Sequence, residues 1–134
     1  MRLINYSTEP PKNFEELLVI YEALGWNSLN LGVAQLEKMC SGSWHTLYAY
    51  HEQKLIGMVR VISDGIITGV ICGLCVLPAF RSLGIGRQLV TSAVKYCEKH
   101  GVIPQLMCEE QLESYYLSLG FKRFSIGMSK YKEG

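Results

Sequence analysis

Apolar positions recur along the chain with three different periods, and each period predicts a different element. "RLINY", residues 2–6, is a short strand candidate. Pro10 and Pro11 interrupt it, and Asn13 is placed to cap a helix with Glu16 three residues on, as in a capping box. Phe14, Leu17, Leu18, Tyr21 and Leu24 then recur at helical spacing, and Gly25 stops the run. A shorter helix fits "LGVAQLEKMC" after Asn30. From "WHTLYAYHEQKLIGMVRVISDG" the pattern predicts two strands joined at Glu52 and Gln53 and closed by Asp64-Gly65. "TGVICGLCVLP" is apolar throughout, as in a strand covered on both faces, and Pro78 ends it.

Beyond a glycine-containing loop, Ile85, Leu89, Val90, Ala93, Val94 and Cys97 form one stripe of a long helix that Gly101 terminates. "IPQLMC" predicts a strand and "EEQLESYYLSLG" a helix with acids in its first turn. "FKRFSIGMSKY" supplies material for a final strand. The predicted order is β-α-α-β-β-β-α-β-α-β. That is an α/β (α+β) fold with a mixed, mostly antiparallel central sheet and helices on both faces.

Composition adds bounds. A length of 134 residues predicts one domain, 1–134, and a hydrophobic share of 49% is enough for a packed core. A formal net charge of +1 gives no electrostatic case for nucleic acid or a membrane surface as partner. No apolar run approaches the ~20 residues that span a bilayer. The N-terminal residues do not read as a signal peptide, so a cytoplasmic location is the expectation.

The five cysteines, Cys40, Cys72, Cys75, Cys97 and Cys108, are expected to be reduced. Cys72 and Cys75 form a C-x-x-C string. Residues three apart on a strand point to opposite faces, and no second pair completes a zinc set. They read as buried structural thiols, and no metal is expected.

The stretch "VLPAFRSLGIGRQL", Val76 to Leu89, carries the candidate chemistry. A helix start offers unpaired N–H groups and the positive end of a dipole, an anion site in itself. Gly84 and Gly86 remove side chains that would keep a phosphate away. Arg81 and Arg87 add charge at either edge. The loop lacks the Lys-Ser/Thr of a Walker A motif and the third glycine of the dinucleotide fingerprint.

"CVLPAFRSLGIGRQLV" resembles the acyl-CoA-binding motif of the GCN5-related N-acetyltransferases, the GNAT family: Val76, Pro78, Arg81, Gly84, Gly86 and Leu89 all match. "YYLSLGF", Tyr115 to Phe121, resembles a second family segment on the last helix. The resemblance covers nearly the whole chain and is weakest over the first 45 or so residues. It implies acetyl-CoA as cosubstrate and a primary amine as acceptor, joined by direct attack in a ternary complex.

Residue by residue, the resemblance implies that Leu74, Cys75 and Val76 pair with the pantetheine arm. It makes the Val76 N–H the donor to the thioester carbonyl, and the N–H groups of Leu83, Gly84, Ile85, Gly86 and Arg87 the diphosphate cradle. Tyr116 would return a proton to the leaving thiolate, with Tyr115 in the core. Asp64 is the candidate base or substrate anchor, against a plain Asp-Gly turn, and His45 and His51 are outside candidates. Trp26 would wall the amine site, against a packing role. The pairing of "ALGW" with "ISDG" resembles a small-molecule amine branch.

Three positions depart from the family pattern. Glu109 stands where relatives carry Asn, Leu112 where they carry a small residue, and Gly73 with Cys72 where many carry an acid. A non-catalytic CoA-binding regulatory or interaction protein on the same fold, and an unrelated nucleotide-phosphate module, are the rival readings. A homodimer through the C-terminal strands is common in such folds.

Overall fold

The structure, a computed structural model, describes residues 3–130. A five-stranded sheet in the order β1-β2-β3-β4-β5 is antiparallel except for the parallel pair β4 and β5. The strands are β1 Ile4–Ser7, β2 His45–His51, β3 Lys54–Ile62, β4 Thr68–Val76 and β5 Ile103–Leu106. The helices are α1 Glu15–Ala23, α2 Val33–Ser41, α3 Ile85–Lys99 and α4 Glu113–Ser118. The strand expected over residues 2–6 thus begins at Ile4, and its first residue, Arg2, lies outside the described residues.

Glu52 and Gln53 both take positive φ, 50° and 68°, and close β2 onto β3 in a two-residue turn whose twist suits a hairpin. The α3 stripe is buried as its period predicts, with Ile85, Leu89, Val90, Ala93 and Cys97 all covered. It packs on one sheet face against Leu47, Val59, Val61 and Ile71. The α1–α2 pair covers the other face, where Leu17, Ile20, Tyr21, Leu36 and Cys40 meet Tyr48, Leu55, Met58 and Cys75. A fully buried side chain of this size contributes about 1.5–3 kcal/mol, so the two clusters fix both helix layers to the sheet.

Four expectations change. The capping box at α1 is half made: Asn13 Oδ1 accepts from the Glu15 N–H at 2.9 Å, but Glu16 turns away and accepts from the Leu55 N–H at 2.9 Å. β4 is not covered on both faces along its length; its burial alternates up to Ile71, as in a strand with one face in the core.

The third change concerns the C-x-x-C string. Arg60 pairs with Cys72 and Met58 with Cys75, so Gly73 and Leu74 together oppose the single residue Val59. This is a β-bulge, and Gly73 supplies its left-handed φ of 66°. The extra residue puts Cys72 and Cys75 on the same face, the α1–α2 side, not on opposite ones.

The fourth change is at the C-terminus. Phe121 to Lys130 form no strand, because the segment is not paired with β5 and is exposed from Lys122 onward; Tyr131 lies outside the described residues. Arg123 is tied back to α4 by a two-pronged pair with Glu113, 2.9 Å from Nε and 2.5 Å from Nη2. The same pair holds the Glu113 carboxyl below its usual range. No helix among the described residues is long and apolar enough to cross a membrane.

Candidate active site

β5 pairs with β4 only from Thr68 to Ile71. The rest of β4, Cys72 to Val76, runs on with β3 on one edge and nothing from β5 on the other. The Leu77 N–H donates to Ile56 O at 2.7 Å, toward β3. Strand alternation therefore turns the Val76 N–H to the open edge. A cleft of about 210 Å³ lies beside this opening, and Trp26, Cys72, Gly73, Leu74, Glu109 and Tyr116 are among its walls.

The chain after Val76 leads directly to α3. Pro78–Phe80 make one 3-10 turn, with Phe80 buried as its anchor. Ser82 and Gly84 both take positive φ, 63° and 80°. Gly84 caps α3 in the left-handed region, and a Cβ built there would meet nothing within 4 Å. The first helical bond runs from the Gln88 N–H to Gly84 O, so the N–H groups of Ile85, Gly86 and Arg87 precede the ladder. Leu83 and Arg81 are exposed beside them, as is Arg87. A Cβ on Gly86 would lie 3.9 Å from Val76 Cγ2 and 3.8 Å from Tyr115 Oη. The helix mouth and the open strand edge are thus contiguous, which fits an extended ligand with an anionic end.

Tyr116 stands at the far wall of the cleft, edge-on to Phe121 at 6.0 Å and to Tyr115 at 5.1 Å. Burial, then the neighbouring Tyr115 phenol and Cys108 thiol, push its own phenol above the usual 10.0, so it keeps its proton at neutral pH. Tyr115 is not a core residue: it is 37% exposed, with its hydroxyl near the helix mouth. The short α4 buries no residue fully, so it has no core side for Tyr115 to join. Trp26 is 44% exposed and packs edge-on against Tyr21 at 5.5 Å.

Asp64 is not brought to this site. Its Oδ1 accepts from the Ile66 N–H at 3.0 Å, a turn-forming bond, and the adjoining Gly65 packs against Trp44 at the start of β2. Gly57, the partner of Val76, is six residues from Ser63 along β3, about 20 Å away. The expected base is therefore a turn residue at the other end of the sheet. His45 is buried and stacked on Tyr96 at 3.7 Å, and His51 lies against Phe80 at 5.2 Å. Neither lines the cleft. A second groove, about 550 Å³, opens at the far end of the sheet beside His45, Trp44 and Glu37, away from the glycine loop.

Sequence reasoning missed Arg60 as a site neighbour and marked Glu109 as a departure from the family pattern at the pantetheine end. Glu109 lines the cleft. The Arg60 guanidinium lies over Gly73, with Nε 3.0 Å from the position a Cβ would take. A lone arginine inside "GMVRVI" was the available signal, since a charge in an apolar strand needs a partner.

A family model described as "Acetyltransferase (GNAT) domain" matches residues 17–134. A protein of unknown function from meticillin-resistant Staphylococcus aureus superposes with a TM-score of 0.81 at 22% identity, over 97% of this chain and 100% of that one. A GNAT-family acetyltransferase from Streptococcus pneumoniae gives 0.70 at 24% identity, over 98% and 100%. An N-acetyltransferase from Thermoplasma acidophilum, solved in complex with coenzyme A, gives 0.69 at 20% identity, over 90% of each chain. At these identities the likeness is one of fold. No curated protein matches the sequence.

Proposed function

We propose, on the premise that the chain belongs to the GNAT acetyltransferase family, that it transfers an acetyl group from acetyl-CoA to a primary amine by direct attack. The observation that carries this reading is the continuity of two features. The open edge of β4 ends at Val76, and within a few residues the chain reaches an α3 mouth whose Gly84 and Gly86 leave the backbone uncovered.

Acetyl-CoA supplies the activated acyl group, a thioester. The residues present suit it. Leu74, Cys75 and Val76 offer strand-edge backbone groups to an extended arm, and the N–H groups from Leu83 to Arg87 offer donors to a diphosphate. Arg81 and Arg87 stand by as exposed cations. The Val76 N–H polarises the thioester carbonyl as a single preorganised donor. Tyr116 holds a proton beside the cleft and delivers it to the departing thiolate; with a raised phenol pKa it is the weaker acid in water, so the step depends on the dry, positioned site. Trp26 forms an aromatic wall that suits a cationic amine. Glu109, on the same cleft, draws that amine in; its deprotonation passes to water, since Asp64 is out of reach.

Calorimetric titration with acetyl-CoA, CoA and ATP, beside Gly84→Glu, tests the donor site. Micromolar binding of acetyl-CoA that the variant loses, with ATP not competing, supports the reading. A folded protein that ignores acetyl-CoA sinks it. Turnover with a panel of primary amines then separates an enzyme from a non-catalytic CoA binder on the same fold.

A further inference from the structure

We infer that Arg60 recognises an anionic group on the acceptor, so that the amine substrate also carries a carboxylate or phosphoryl group. The inference rests on the acetyltransferase reading above and narrows its substrate class.

Arg60 projects from β3 onto the α1–α2 face, opposite Cys72. Its Nε is buried and has no hydrogen-bond partner. Nη1 donates to Ser43 Oγ at 3.2 Å, and that hydroxyl is itself committed to Met39 O at 2.9 Å. The ion pairs among the described residues join His51 to Glu52 and Arg123 to Glu113; none involves Arg60. Tyr21, Cys40, Tyr48, Cys72 and Cys75 feel its charge, and burial raises every one of them above its ordinary value. All are therefore neutral at pH 7. A permanent cation with five donors is left with one neutral bond, in a setting where an unpaired charge is costly.

The bulge sets a residue of the cleft wall against that cation. Gly73 lines the cleft and lies against the guanidinium, and any side chain there would press on Nε and Nη2. A glycine at this point lets β4 pack closely on the guanidinium; Nε is closed off there, which leaves the Nη ends as the fork for an anion. A carboxylate matches that fork with two parallel bonds. Cys72 and Val76 lie opposite Arg60 and Gly57, three residues or about 10 Å apart along β3, so Gly73 and Val76 are less than about 10 Å apart. An acceptor that spans from the fork to the thioester thus has its amine several bonds from its anion.

The test compares two acceptor series with acetyl-CoA: straight-chain alkylamines and ω-amino carboxylates of equal length. We expect at least one ω-amino carboxylate to exceed its matched alkylamine by about ten-fold or more in kcat/KM, the worth of one hydrogen bond to a charged group. Arg60→Gln should collapse the ratio, and Arg60→Lys, which keeps charge without the fork, should restore part of it. A ratio near one at every length, or one that survives in Arg60→Gln, overturns the proposal.

Should neither series turn over, hexanoate titrated into CoA-saturated protein labelled with 15N-arginine decides. A shift of the Arg60 Nε resonance supports the site, and a fixed resonance overturns it. An acetyl-CoA titration alongside isolates failure of the acetyltransferase reading, because Arg60 lies off the donor loop. Circular dichroism checks the fold of each variant.

Discussion

The backbone N–H of Leu55 donates to Glu16 Oε1 at 2.9 Å, across 39 residues of sequence. The bond ties the first turn of α1 to the start of β3, just after the hairpin turn. Leu55 is buried at that point, and its N–H has little access to water. Removing the acceptor should cost about 1–2 kcal/mol. Glu16→Ala is expected to lower the urea midpoint with an unchanged slope, and Glu16→Gln, which keeps a carbonyl acceptor, to lower it less. Equal midpoints for the wild type and Glu16→Ala would show that the bond carries no net stability.

Gly84 holds a φ of 80° with open space where a Cβ would go. Any loss on Gly84→Ala is therefore a backbone effect and not a clash. Alanine in the left-handed region costs about 1–2 kcal/mol, and asparagine, which tolerates that region better, costs less. The expected order of thermal midpoints is glycine, asparagine, alanine. If the loop cradles a diphosphate, acetyl-CoA affinity should fall in the same variants beyond what stability explains. Calorimetry at a temperature where all three are folded separates the two effects. Gly86 differs: a Cβ there meets atoms only at 3.8 and 3.9 Å, an ordinary contact distance, so Gly86→Ala should fold with a smaller loss.

Tyr116 and Tyr115 sit side by side, and their exposure distinguishes them. Tyr116→Phe is expected to lower kcat about 100-fold or more, the scale of one proton transfer. Tyr115→Phe should have a much smaller effect on kcat. Because the Tyr116 phenol lies above 10.0, its protonated form persists through neutral pH. The alkaline limb it contributes to kcat therefore has its midpoint above pH 10, and that limb should vanish in Tyr116→Phe. A larger kcat loss in Tyr115→Phe would move the acid to the neighbouring residue.

The α3 stripe, the hairpin turn and the left-handed loop before α3 were all readable, because period and glycine placement act locally. What escaped depends on pairing between distant strands. The Gly73 bulge exists only against Val59, so the faces of Cys72 and Cys75 could not be read from their spacing alone. Glu16 looked like a local cap because its long-range competitor, the Leu55 N–H, is invisible to a window of four residues. Phe124, Ile126 and Met128 alternate as a strand does, yet alternation does not supply a partner edge. Asp64-Gly65 was correctly a turn, and the turn bond from Ile66 is what keeps Asp64 from the cleft. Arg60 was a single charge in an apolar run, and its importance appears only once its lack of a partner is known.

The thiols and phenols buried under α1 and α2 predict how stability falls in base. Burial pushes the Cys75 thiol from 9.0 up to about 12, with nearby Arg60 and a backbone bond from Met58 acting the other way. Tyr21 and Tyr50 are pushed from 10.0 up to about 12, again chiefly by burial. Each group loses its proton in the unfolded chain before it does so in the fold. Between the two pKa values the unfolded state binds fewer protons, so unfolding becomes easier as pH rises. The stability these groups provide is complete below about pH 9 and is lost as pH rises toward 12. Urea midpoints should therefore be level from pH 7 to 8.5 and decline steadily above pH 9. Cys75→Val, which has no proton to lose, should delay the first part of that decline, between pH 9 and 10. Tyr21→Phe should leave that part in place and soften the slope above pH 10. A midpoint that stays flat to pH 11 in the wild type would mean that these groups ionise as readily in the fold as in the open chain.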